Sequence, residues 1–391
     1  MTSARRADIA FFVSISVGLV LLGVFGVLQQ RVDKLGSDDF ATIWAGSRSV
    51  LVGLDPYDVT TWRETAVRVG AVSGDTAVYG YPPWAALALV PFALIPLGAA
   101  GLLWSGVGFA FAVAAVRALL RAYLPGGAAA HAIFGALVVV SPGAVSTLLL
   151  GQWTFLLLAG LAAVVLLLRS ERPAVAGVVA TVMLVKPPPF VFSTAALAVR
   201  ALWPGADAGL RRRFVISAIA TGAGTVALSW ILIPSWWPAW LVYSAGFLVG
   251  IQPVTLPTLF TSLFGPVGVW LAPPVLFAGI IAAVQFHPRG DGWLPVWLTL
   301  SIAGAIYSNT YDLLFLIVPA ILAAGALAPR SPWRAAIVVA ATALLLFAAM
   351  WYLQTTYVRL YAAAISLLMF VVITAALWPE DRKSTRLNSS H

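Results

Sequence analysis

The stretch IAFFVSISVGLVLLGVFGVL, Ile9 to Leu28, decides the fold. A membrane-spanning helix needs about 20 predominantly apolar residues, and this run supplies them without a single charge. Arg5 and Arg6 precede it, as they would a signal peptide. The run exceeds the usual apolar core of such a peptide and lacks a clear small-residue cleavage site, so it reads as an uncleaved first helix. Just beyond it comes Gly36-Ser37-Asp38-Asp39-Phe40. Two adjacent carboxylates beside a membrane face are costly unless something uses or solvates them.

The composition extends this reading to the whole chain. Of 391 residues, 61% are hydrophobic and only 9% charged, against roughly 25% charged in soluble domains. Apolar segments alternate with short polar joints. That pattern marks an all-α polytopic bundle rather than a barrel, whose strands would alternate over about ten residues. The spacing predicts segments at 99–120, 129–149, 152–168, 173–186, 188–200, 214–233, 267–285, 293–308, 312–327, 335–352 and 359–378. With the first helix this makes about twelve spans. Several are short, which implies local thinning or packing inside the bundle. Residues 1–381 form one integral membrane domain. The tail from Arg382 to His391 is polar and unlike what precedes it, and is set aside as non-native.

The net charge of +9 belongs to loops on the cytoplasmic side and does not point to nucleic acid. There is no cysteine, and His131, His287 and His391 lie far apart, so neither disulfides nor a metal site is expected. Nor is there a phosphate-binding glycine loop, a dinucleotide fingerprint, a nucleophile elbow or a zinc motif. ATP-driven pumps and enzymes of soluble cofactors are thereby excluded, and no cofactor is expected.

Between Gln29 and Pro83 the acids Asp33, Asp38, Asp39, Asp55, Asp58, Glu64 and Asp75 outnumber the bases. With Arg5 and Arg6 ahead of the first helix, this segment is placed outside. A loop this long folds and carries function, and short interfacial helices are expected at Thr42–Val52 and Val59–Val69. Trp84–Ile95, bracketed by prolines, is too short to cross and reads as re-entrant or interfacial. Gly151-Gln152, Lys186-Pro187-Pro188-Pro189, the uncharged loop 233–268 and the joint Tyr307-Ser308-Asn309-Thr310-Tyr311-Asp312 then fall on the same outer side. The arginines from Arg117 to Arg334 fall on the other.

Asp38 and Asp39 are the first candidates for chemistry. A carboxylate there can take a proton from a sugar hydroxyl, or cap the helix that follows. The Lys186 ammonium can meet a phosphate or snorkel to a helix end. Gln152 suits a sugar hydroxyl or a neighbouring helix. Asp312 stands where a helix cap would. Arg359 suits a lipid phosphate or the membrane interface. Trp237, with Trp236 and Trp240, forms an interfacial belt, lines a lipid-tail groove or stacks on a sugar.

The order Asp39-Phe40-x-x-Ile43-Trp44-Ala45-Gly46-Ser47, Gly53-Leu54-Asp55-Pro56-Tyr57-Asp58, Tyr79-Gly80-Tyr81-Pro82-Pro83-Trp84, Gly151-Gln152 and Lys186-Pro187 resembles glycosyltransferase family 87. The resemblance covers roughly residues 35–190. It implies a C-type glycosyltransferase fold in a bacterial plasma membrane with an outward-facing site. It also implies a polyprenyl-phosphate-linked mannose as donor, a glycolipid or lipoglycan acceptor, and an acidic general base in the first outer loop. That base is Asp39 by motif position, with Asp38 as the neighbour able to substitute. Tyr81, Gln152, Lys186, Arg359, Asp312 and Trp237 are the substrate-binding candidates. Family members often have histidine near the position of Asp312, and no role is carried over to it. A transferase of another polyprenyl-linked sugar, and a lipid or sugar transporter, are the alternatives.

Overall fold

A computed structural model describes residues 2–28, 38–58, 60–70, 79–202, 208–242, 254–286, 292–355 and 359–378. The described residues are helical, with no strand among them. Gly36, Ser37, the middle of the uncharged loop, the terminal tail, and the side chains of Asp38 and Arg359 lie outside what is described.

Helix α1 (Ser3–Leu28) lies along α7 (Ala128–Val140). It shows Val13, Val17, Val20 and Leu21 outward, the face a lipid-contacting helix presents. The acid-rich segment follows as α2 (Asp38–Leu51), α3 (Trp62–Arg68), α4 (Pro83–Ala88) and α5 (Val90–Ala93). Thus Trp84–Ile95 is neither a span nor one helix but two short helical turns separated at Leu89. Their free carbonyls need partners, and α2 supplies them. The Trp44 indole N–H lies 3.1 Å from the Phe92 carbonyl and 3.2 Å from that of Ile95, while Arg48 donates to the Ala93 carbonyl at 2.9 Å.

The chain then runs back and forth between two ends. It passes through α6 (Leu97–Tyr123), α7, α8 (Pro142–Leu150), α9 (Thr154–Arg169), α10 (Pro173–Ala180), α11 (Val191–Leu202) and α12 (Ala208–Leu232). The segment expected as one span over 129–149 is found as Ala128–Leu150, interrupted at Ser141-Pro142. Proline cannot donate in a helix interior, and the Ser141 hydroxyl accepts from the Ala144 amide to start α8 afresh. The later helices are α13 (Leu256–Phe264), α14 (Ala272–Val284), α15 (Trp293–Ala303), α16 (Ile317–Leu327), α17 (Pro332–Ala343) and α18 (Ala363–Leu377). A π-helical turn at Leu344–Ala349 carries α17 on to Thr355.

Among the described residues, seven helical segments are long and apolar enough to cross a membrane, and four apolar helices of 10–17 residues accompany them. The shortfall from about twelve has a local cause: α10 tightens into 3-10 turns before Lys186, and α15 stops at Ala303. Thr310–Leu327 is 89% buried, against 11% for Gly209–Leu232. A helix apolar on all sides belongs inside the bundle, and this one anchors the site from the middle.

Candidate functional site

Three of the sequence blocks interlock into one packed unit. Gly46 of α2 lies flat against Tyr79, so that a Cβ there would overlap the tyrosine ring. Gly53, with φ of +76°, turns the chain after α2. The Asp55 carboxylate accepts from the Tyr57 amide at 2.8 Å and from the Ser235 hydroxyl. The Tyr57 hydroxyl then donates to the Tyr81 carbonyl at 2.6 Å, and its ring meets Tyr79 edge-on at 5.4 Å. The blocks are close in space because small residues and turns let aromatic rings stack between them.

Gly151-Gln152 joins this unit from the other side. Gly151 ends α8 in the left-handed conformation at φ 66°, where glycine avoids the usual side-chain clash. Its carbonyl accepts from the Trp104 indole at 2.9 Å. Gln152, 5% exposed, donates from Nε2 to the Asp39 carboxylate and lies 3.4 Å from the Tyr81 hydroxyl. Burial pushes the Tyr81 phenol well above its ordinary value, and the nearby Asp39 and Tyr307 push it further. Tyr81 therefore stays protonated and can donate.

A second set sits beside the first. Lys186 caps the end of a 3-10 turn at φ −145° and ψ 77°, outside the helical region that a following proline disfavours. Its ammonium donates to Asp312 Oδ1 at 2.8 Å and lies 2.7 Å from Oδ2. The same Oδ2 accepts from the Asn309 amide at 2.7 Å, so Asp312 is both a helix cap and the partner of Lys186. Its side chain is fully buried, and these contacts compensate the charge. The Lys186 ammonium also lies 4.4 Å from the Tyr311 ring and 5.3 Å from the Tyr307 ring. Asn309 ties both phenols together, donating to them at 2.9 and 3.0 Å.

The structure thus unites Asp39, Gln152 and Tyr81, and sets Lys186 and Asp312 alongside. Asp38 opens α2 next to Asp39. Arg359 opens a separate 3-10 turn, Arg359–Ala362. Trp237 belongs to an aromatic group instead: it stacks on Trp230 at 6.1 Å and meets Trp236 edge-on at 5.2 Å. Trp236 touches Trp84 and so holds this group against α4. Sequence reasoning singles out the joint from Tyr307 to Asp312 as a whole but names only Asp312 in it as a site candidate, so Tyr307, Asn309 and Tyr311 are additions. Their signal was a polar, aromatic joint between two apolar segments.

A cavity of about 240 Å³ is lined by Leu256, Leu276, Gly279, Leu300, Gly304 and Phe370, among others. The Val254 amide donates to the Ser308 carbonyl at 2.8 Å, so two of its walls, Leu256 and Gly304, flank the joint that carries Tyr307.

The family model described as glycosyltransferase family 87 matches residues 79–308. The first two blocks, with Asp39, precede that range. Comparison with curated proteins and with solved structures gives no match.

Proposed function

The chain belongs to glycosyltransferase family 87, and from that premise we propose that it moves mannose from polyprenyl-phosphomannose to a lipid-linked glycan or glycolipid, inverting the anomeric centre. Membership and the apolar helices make it a membrane glycosyltransferase; donor, acceptor and sugar are the proposal. The observation that carries it is the meeting of Asp39 with Gln152 and Tyr81 beside the Lys186–Asp312 pair.

In this reading Asp39 takes the proton of an acceptor hydroxyl, and that oxygen attacks the anomeric carbon. The bond from this carbon to the phosphate oxygen breaks, and polyprenyl phosphate leaves with the electron pair. Gln152 orients the carboxylate. Lysine has three N–H donors, and Asp312 engages part of that capacity, so the ammonium can also meet the leaving phosphate. Tyr81 donates to the sugar. The apolar cavity lined by Leu256 and Gly304 suits part of a hydrocarbon tail. The arginine-rich end is cytoplasmic by the positive-inside rule, so the site faces outward from a bacterial plasma membrane. The short apolar helices α9, α10, α15 and α18 count as further crossings.

Purified protein given polyprenyl-phosphomannose and a glycolipid acceptor tests the reading. Release of polyprenyl phosphate matched by mannosylated acceptor is expected. Substrate movement across vesicles without bond formation would favour a transporter, and transfer only from another polyprenyl-linked sugar would change the donor.

A further inference from the structure

At the end of the bundle remote from Asp39 lies a larger cavity, of about 650 Å³. Its mouth is set by helix ends: Arg169 closes α9, Arg200 stands near the end of α11, and Arg211 near the start of α12. All three line it, with Glu171 as the one acidic residue of the lining. Aromatic rings and backbone fix the guanidinium groups. Arg169 lies 4.7 Å from the Tyr123 ring centre and Arg200 4.8 Å from that of Trp293. Arg211 donates from Nε to the Arg200 carbonyl at 2.8 Å.

The walls deeper in the bundle are different. Val165, Leu197 and Leu322 also line the cavity. Val165 lies about one helical turn below Arg169, counting 3.6 residues per turn. Positive charge at the helix ends over apolar walls is the layering of a lipid: an anionic head at the interface and hydrocarbon beneath. Basic pockets between transmembrane helices bind lipid head groups in this way. The volume falls within the roughly 300–1,000 Å³ usual for ligand sites.

We propose that this cavity binds the phosphate of an anionic membrane lipid, with its acyl chain against the walls lined by Val165 and Leu322. The site is separate from the transferase centre: α9 alone, with 16 residues, sets about 24 Å between them.

The full chain in nanodiscs of equimolar phosphatidylglycerol and phosphatidylcholine, analysed by native mass spectrometry, tests this. Preferential retention of phosphatidylglycerol is expected. A charge at a membrane surface contributes roughly a factor of five, so Arg200→Gln with Arg211→Gln should weaken retention about twenty-five-fold. Glu171→Gln, which removes a repelling carboxylate, should strengthen it, and this variant guards against loss of folding in the first. Equal retention of both lipids would overturn the proposal, as would indifference of the preference to both variants. Inorganic phosphate displacing the retained lipid with equal affinity would assign the site to a soluble phosphate instead.

Discussion

Helix α9 joins two regions that handle charge in opposite ways. At its start, Gln152 and Asp39 meet inside the protein, and Lys186 and Asp312 neutralise one another beside them. At its end, Arg169 opens on a cavity with Arg200 and Arg211, while Arg121, half exposed, pairs with Asp8 of α1. Removing a partner inside leaves an uncompensated charge, a cost of several kcal/mol. Removing one at the exposed end leaves a solvated charge. The first region should therefore be sensitive in both folding and turnover, and the second in neither turnover nor, for single surface pairs, folding.

The largest break in this contrast should come from Lys186→Ala. It strands the buried Asp312 carboxylate and should destabilise by about 3–5 kcal/mol, read as a lowered midpoint of thermal unfolding in detergent. Lys186→Met with Asp312→Asn should recover much of that stability without recovering transfer, because the Asn309 cap survives while the ammonium does not. Next comes Gly46→Ala. A Cβ against the Tyr79 ring must push it aside, and overpacking of this kind costs about 1–3 kcal/mol. The same measurement should detect it, with a fall in activity as the three blocks move apart.

Gln152→Ala sharpens the contrast from the catalytic side. Hydrogen bonds to charged groups contribute about 1.5–3 kcal/mol, so kcat should fall about ten- to hundredfold. A rise in KM alone would show that Gln152 binds substrate rather than positioning Asp39. The smallest effect is expected at the other end. Arg121→Gln removes one arm of the exposed Asp8 pair, and such solvent-screened pairs contribute little to stability. Transfer rates should stay at wild-type level.

The same contrast explains what could be read from sequence. Composition and apolar runs determine where helices lie, because each must satisfy its own backbone in lipid. Lys186-Pro187 and Gly151-Gln152 announced breaks, since proline and a left-handed glycine end helices by local geometry. The interruption at Ser141-Pro142 is equally local but lies within an unbroken apolar run. Pairing is another matter. Lys186 meets Asp312 from 126 residues away and Gln152 meets Asp39 from 113, and no local pattern encodes such distances. Order among the blocks brought Asp39, Tyr81 and Gln152 forward together. Nothing comparable flagged Tyr307 and Tyr311 as walls around Lys186. Trp237 stands out in the sequence by residue type, and its ring packs among other tryptophans.

The central claim is that Asp39 is the base that activates the acceptor hydroxyl. Single-turnover release of polyprenyl phosphate from preloaded donor and acceptor, compared between wild type and Asp39→Asn, measures that step most directly. General-base catalysis contributes about 10²–10⁴-fold, so the variant should bind both substrates, unfold at a similar temperature, and release product slower by that factor. Release at the wild-type rate would contradict the account and move the base elsewhere.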